Sequence, residues 1–108
     1  MIEVRETDVF SKWLLGLRDR SGRRAIVVRI QRLALGNPGD VKPVGHGVSE
    51  LRVAHGPGYR VYFVKRGEVL IVLLCGGDKS SQDADIAEAH ALAADLEGSS
   101  YGHKDSPV

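Results

Sequence analysis

The chain opens on an alternation, Ile2-Glu3-Val4-Arg5-Glu6, whose period of two is that of a strand buried on one side. The period then changes. Val9, Phe10, Trp13, Leu14 and Leu17 recur at helical spacing behind Thr7 or Asp8, either of which can accept from the free N–H groups at a helix start. After a polar break at Asp19-Arg20-Ser21-Gly22, Ile26, Val27, Ile30, Leu33 and Ala34 form a second apolar stripe, which Gly36 ends. So short a break predicts an antiparallel pair of helices. Residues 36–47, with four glycines and two prolines, read as a loop. Three strand-like runs follow at 48–54, 59–65 and 68–75, separated by Gly56-Pro57-Gly58 and Arg66-Gly67, which predicts two successive hairpins. The last run, Val69-Leu70-Ile71-Val72-Leu73-Leu74-Cys75, shows no polar alternation, so it is expected to be central and covered on both faces. Residues 81–96 read as a helix, with Ser80 and Asp83 at capping-box spacing and Ile86, Ala89, Ala93 and Leu96 facing inward. The order is β-α-α-β-β-β-α, an α+β domain whose helices pack on one face of a small antiparallel meander. The other face is then partly open.

Composition narrows the class. A chain of 108 residues, 43% hydrophobic, makes one domain and can build a core without metal or disulfide staples. Its one cysteine, Cys75, lies in the most apolar run and suits a small buried hydrophobe in a reducing compartment. No apolar stretch approaches the ~18 residues of a membrane span. The first six residues carry acids and no apolar h-region, so a cytoplasmic protein with no membrane partner is expected. The Ser/Gly/Pro-rich segment 98–108 is expected to be disordered.

The net charge of +1 conceals two unlike parts. Residues 1–66 hold 13 Lys/Arg against 6 Asp/Glu, whereas residues 67–108 hold 2 against 8. Such asymmetry points to a polyanion or an acidic partner, and equally describes a dipolar solvated surface. Strand alternation turns Glu50, Arg52, Arg60 and Tyr62 away from the side bearing Leu51, Val53, Val61 and Phe63. Guanidinium forks match phosphate oxygens, and tyrosine can stack on an unpaired base. Lys79, at the expected start of the last helix, marks a candidate anion corner, although Gly77-Asp78-Lys79-Ser80 is no Walker loop. Arg23 and Arg24, on the second helix, add candidate contacts to RNA phosphate. His46 and His55 flank the strand that carries Arg52 and are candidates for RNA contact or proton transfer. The four histidines have no paired-ligand spacing, so neither metal nor cofactor is expected.

Several longer strings occur in fixed order: Phe10-Ser11-Lys12-Trp13-Leu14, Gly36-Asn37-Pro38-Gly39-Asp40, Glu50-Leu51-Arg52, Gly56-Pro57-Gly58-Tyr59-Arg60-Val61-Tyr62-Phe63, and Leu73-Leu74-Cys75-Gly76-Gly77-Asp78-Lys79. Together they closely resemble the HigB-like addiction-module killer proteins of the RelE/ParE toxin superfamily. The resemblance implies a RelE-like toxin domain over residues 1–97. It also implies a type II toxin–antitoxin pair whose toxin cleaves mRNA on the ribosome, by attack of a 2′-hydroxyl on the adjacent phosphate and without metal. ParE-type members inhibit DNA gyrase instead. By the same resemblance Arg60 matches the arginine of the family's Gly-Tyr-Arg motif, and Lys79 a basic residue after the last strand. Arg52 aligns, across a one-residue gap, with one of two RelE lysines. Glu50 stands where RelE has the other lysine, and Asp85 falls near a tyrosine of its last helix. The implied catalytic set is Arg52, Arg60 and Lys79, with Tyr62 placed by proximity. The implied partners are a helix-turn-helix antitoxin, with which the complex would bind operator DNA, and the ribosome with its mRNA.

Overall fold

Residues 2–97 are described in the computed structural model of the chain, and the segment 98–108 lies outside them. The elements are β1 (Glu3–Glu6), α1 (Asp8–Gly16), α2 (Arg20–Ala34), β2 (Val41–Pro43), β3 (Val48–Val53), β4 (Tyr59–Arg66), β5 (Leu70–Gly77) and α3 (Gln82–Glu97), the last preceded by a single 3-10 turn, Lys79–Ser81. The α+β class and the β3-β4-β5 meander are as the hydrophobic pattern predicts. The sheet has five strands in the order β1-β5-β4-β3-β2. The N-terminal strand β1 pairs with β5 in parallel, and the other neighbours are antiparallel.

Two expectations need correction. First, the segment read as a loop contains β2, which sets Val41, Lys42 and Pro43 opposite Leu51, Glu50 and Ser49. A proline is tolerated there because β2 is an edge strand and its missing N–H breaks no inner ladder. Second, the helices do not share one face. Phe10 of α1 and Ile26 and Leu33 of α2 pack with Leu51, Val61, Phe63, Ile71 and Leu73. Ala89, Ala93 and Leu96 of α3 pack with Val48, Tyr62, Val64, Val72 and Leu74, which alternate with the first set and so line the opposite side. The sheet is therefore the middle of three layers. Each fully buried aliphatic or aromatic side chain in either layer contributes about 1.5–3 kcal/mol relative to exposure, so α3 is held as part of the core.

The ends of the helices are tied to the sheet. Thr7 caps α1 by accepting from the Phe10 N–H at 3.0 Å, while its own hydroxyl donates to the Leu74 carbonyl at 2.5 Å. Asp19 caps α2 by accepting from the Gly22 N–H at 2.9 Å and also accepts from the Tyr59 hydroxyl of β4 at 2.9 Å. Between Tyr62 and Phe63 the β4–β5 register slips, because Tyr62 faces Cys75 and Phe63 faces Leu73, leaving Leu74 as the extra residue of a bulge. The end of β5 is closely covered. A Cβ on Gly76 would stand 2.3 Å from the Trp13 ring, so only glycine lets α1 settle on this strand.

Candidate functional site

The sheet register builds the site. Arg52 on β3 is the direct partner of Arg60 on β4, and Arg60 in turn faces Gly77, the last residue of β5. Asp78 and Lys79 follow at once, which carries the row into the turn before α3. Lys79 Cβ lies 3.7 Å from the place a Cβ would occupy on Gly58, and Arg60 Nη1 lies 3.1 Å from that same point. The three cations singled out in the sequence thus meet along one end of the sheet, on the α3 side.

What holds the two arginines is a carboxylate. Glu50 is fully buried at 0% exposure, one register step from Arg52 on the same face. Its Oε1 accepts from Arg52 Nε at 3.0 Å, and its Oε2 accepts from the Tyr62 hydroxyl at 3.0 Å and from Gln82 Nε2 at 2.7 Å. Arg60 Nε lies 3.8 Å from Oε2, is buried, and has no hydrogen-bond partner, while Arg60 Nη1 donates to the Gly58 carbonyl at 2.7 Å. Burial alone would raise the Glu50 carboxyl. The hydrogen bonds from Gln82, Arg52 and Tyr62, with the charge of Arg52, outweigh that and hold it below the usual carboxylate range. The same bond reverses the effect on Tyr62, whose hydroxyl is pushed well above its ordinary value, first by burial and then by the Glu50 carboxylate.

This arrangement corrects the expected role of Tyr62. Alternation places Tyr62 on that face, but α3 covers it, and the residue is 0% exposed. It cannot stack on a base, and a phenol so hard to ionise makes a poor general base. The expected anion corner is altered as well. The N–H of Ser80 is already taken by the Asp78 carboxylate at 2.8 Å, and Ser81, not Ser80 with Asp83, completes the capping box. Lys79 itself remains exposed. Asp85 sits on the same side: its Oδ2 accepts from Ser81 at 2.5 Å and lies 1.8 Å from where a Gly77 Cβ would be. Glu50, Asp78 and Asp85 therefore interleave with Arg52, Arg60 and Lys79.

The remaining candidates separate. Arg24 and His55 line one cleft of about 470 Å³ with Ser21, Arg29, Arg32 and the end of β3. This cleft adjoins α2, across the sheet from α3. His55 Nε2 there lies 3.0 Å from the Ser21 hydroxyl. Arg29 spans the cleft wall by donating to the carbonyls of Arg52 and Pro38, which braces β3 from behind. Arg23 belongs to a shallower recess with Arg20, Arg24 and Val27. His46 is at the far end of β3, with its ring 4.3 Å from that of His90, which meets the Val44 carbonyl at 2.8 Å. His46 and His55 thus bracket β3 rather than share a site. Cys75 is buried, and its thiol is pushed up to about 12, chiefly by that burial. Among the described residues no group of three or more His, Cys, Asp or Glu could hold a metal ion, and no helix is long and apolar enough to cross a membrane.

Gln82 is a site residue outside the sequence-based set, and alternation places Glu50 on this face without its role as anchor of the arginines. A signal was present. Val48 shares the Glu50 face of β3, and Tyr62 and Val64 share the Arg60 face of β4, so the supposedly open side carried apolar residues that required a cover.

The class of the molecule is a three-layer α+β domain with Arg52, Arg60 and Lys79 at one sheet end. The chain belongs to the family described as phage-derived protein Gp49-like, whose profile it matches over residues 12–95, and that family is RelE-like. An uncharacterized protein of Haemophilus influenzae is 47% identical over 95 residues, covering 88% of this chain and 96% of its own length. A conserved hypothetical protein of Helicobacter pylori, solved in solution, is 18% identical, with a TM-score of 0.45 over 74% of this chain and 97% of its own.

Proposed function

We propose that this protein is the HigB-like toxin of a type II toxin–antitoxin pair and acts as a ribosome-dependent mRNA endoribonuclease. One observation carries the reading: Arg52, Arg60 and Lys79, which arrive from β3, β4 and the turn after β5, lie in one row. In-line attack of a 2′-hydroxyl places extra negative charge on the phosphate oxygens, and preorganised cations stabilise that charge more than they stabilise the resting diester. Arg52, with a side chain 35% exposed, and Lys79 meet the phosphate directly, while Arg60, at 12%, presents only an edge. The ribosome orients the mRNA, and the cleft with Arg24 and His55 guides the strand beyond the cut. The partner is a helix-turn-helix antitoxin.

A second reading has its own support. The interleaved acids Glu50, Asp78 and Asp85 lower the positive potential of the row, and Tyr62 is too deep to move a proton, which suits a gyrase inhibitor without chemistry of its own. Mapping mRNA 5′ ends after induction of the toxin alone separates the two. Cuts within translated frames, abolished by Arg60→Ala, are expected. Intact transcripts with a rising DNA-damage response would replace the nuclease by the inhibitor.

A further inference from the structure

We infer that Glu50 is a positioning residue: it fixes Arg52 and Arg60 from beneath, so that the outer edges of their guanidinium groups meet one phosphate of the bound RNA. The inference rests on the proposed reading of those two arginines. Glu50 is an acid buried within a site meant for an anion. A carboxylate there repels phosphate unless both its oxygens are committed elsewhere.

They are. Oε1 receives Arg52 Nε and Oε2 receives Tyr62 and Gln82, with Arg60 Nε 3.8 Å away. Each arginine thereby turns its Nε edge inward. Arg60 is pinned further through Nη1 on the Gly58 carbonyl. Among the described residues no hydrogen bond engages the Nη pair of Arg52 or Nη2 of Arg60, and these are atoms that make two-point contacts with phosphate oxygens. A long flexible guanidinium loses rotamer entropy when it binds, and fixing it beforehand removes that cost from the binding step.

The same geometry argues against Glu50 as a general base. It is fully buried and engaged at both oxygens, and it is held ionised by its donors, so it has little affinity for a proton. The groups facing it come from every neighbouring element: Arg52 on β3, Tyr62 and Arg60 on β4, and Gln82 on α3. Lys42 is its register partner on β2 and is exposed, and Asp85 of α3 lies close enough to Tyr62 to disfavour the phenolate.

The test uses the whole ¹⁵N-labelled chain and a short single-stranded RNA. Arginine Nε–H resonances are followed against pH in wild type and in Glu50→Gln, Tyr62→Phe and Gln82→Ala, with RNA affinity measured alongside. In wild type the Arg52 Nε–H is expected to be shifted and protected. In Glu50→Gln it is expected to join the solvent-exposed arginines as RNA affinity falls by tenfold or more. Tyr62→Phe and Gln82→Ala keep the carboxylate but remove one donor each, which weakens the hold on its ionised form. Their acid limb, in both the resonance and the affinity, moves to higher pH than in wild type. A merely structural role would not move that limb. The inference is overturned if folded Glu50→Gln leaves the Arg52 resonance and RNA affinity unchanged, or if the acid limb stays fixed in Gln82→Ala. If Glu50→Gln frees both arginines while neither it nor Arg60→Ala alters RNA affinity, the nuclease reading fails and the anchoring of the arginines stands.

Discussion

Glu50 shows how far one residue's meaning depends on what covers it. On a solvated strand a glutamate contributes little, but here it is a buried anion with four partners, and removing one side of a buried ion pair costs about 3–5 kcal/mol. Glu50→Ala is therefore expected to lower the unfolding free energy by about 3 kcal/mol, the low end, because Arg52 keeps some water contact. The pH dependence has a definite sign. A carboxyl whose folded pKa is depressed stabilises the fold above its unfolded value, about 4.3 for glutamate, and loses that contribution as pH falls through the folded value. Urea midpoints measured from pH 7 to pH 3 should fall steeply in wild type. They should fall less in Glu50→Gln, where Asp19 and Asp78, also held low by hydrogen bonds, account for the residual slope. An equal slope in both proteins would remove Glu50 from the account. Period-two alternation was enough to place Glu50, Arg52, Arg60 and Tyr62 on one side of the sheet. It could not say that Gln82, thirty-two residues later, would close over them.

Among the elements, legibility followed pattern strength. The stripes of α1 and α2 and the apolar run of β5 are long, and the structure keeps these elements nearly as predicted, although Val9 and Val27 are exposed at the stripe edges and Val69 is exposed ahead of β5. Strand β2 has three residues, one of them proline, and too few positions to show a period. Placement of α3 failed for a different reason. Its inward residues Ile86, Ala89, Ala93 and Leu96 recur at helical spacing, so its stripe is legible, yet nothing in the stripe says which face of the sheet it meets. The continuous apolar run of β5 already required covers on both sides, and three helices on one face cannot supply them. Close approach of α1 to β5 gives an element-scale prediction. Gly76→Ala drives a methyl group into the Trp13 ring and is expected to cost about 1–3 kcal/mol as an overpacked contact. Thermal melting followed through Trp13 fluorescence checks it, and an unchanged melting temperature would show that α1 stands further from β5.

At the scale of the whole molecule, the uneven charge acquires a location. The arginines of α2 line the cleft and recess on one side of the sheet, and the cation row occupies the end of β3 and β4. The acids after Gly67 fall largely on α3 and the turn before it, where Asp78 and Asp85 meet the row instead of lying apart from it. Arg29 ties the two regions together by donating to the Arg52 carbonyl. The most direct test is cleavage by the purified protein of a defined mRNA carried on purified bacterial ribosomes, with no added metal beyond that of the ribosome buffer. The account predicts cuts only in the ribosome-bound message, each leaving a 2′,3′-cyclic phosphate, and at least a hundredfold loss of rate in Arg60→Ala, of the order seen when one charge-stabilising donor is removed. An intact message, or a cleavage rate indifferent to Arg60, would contradict it.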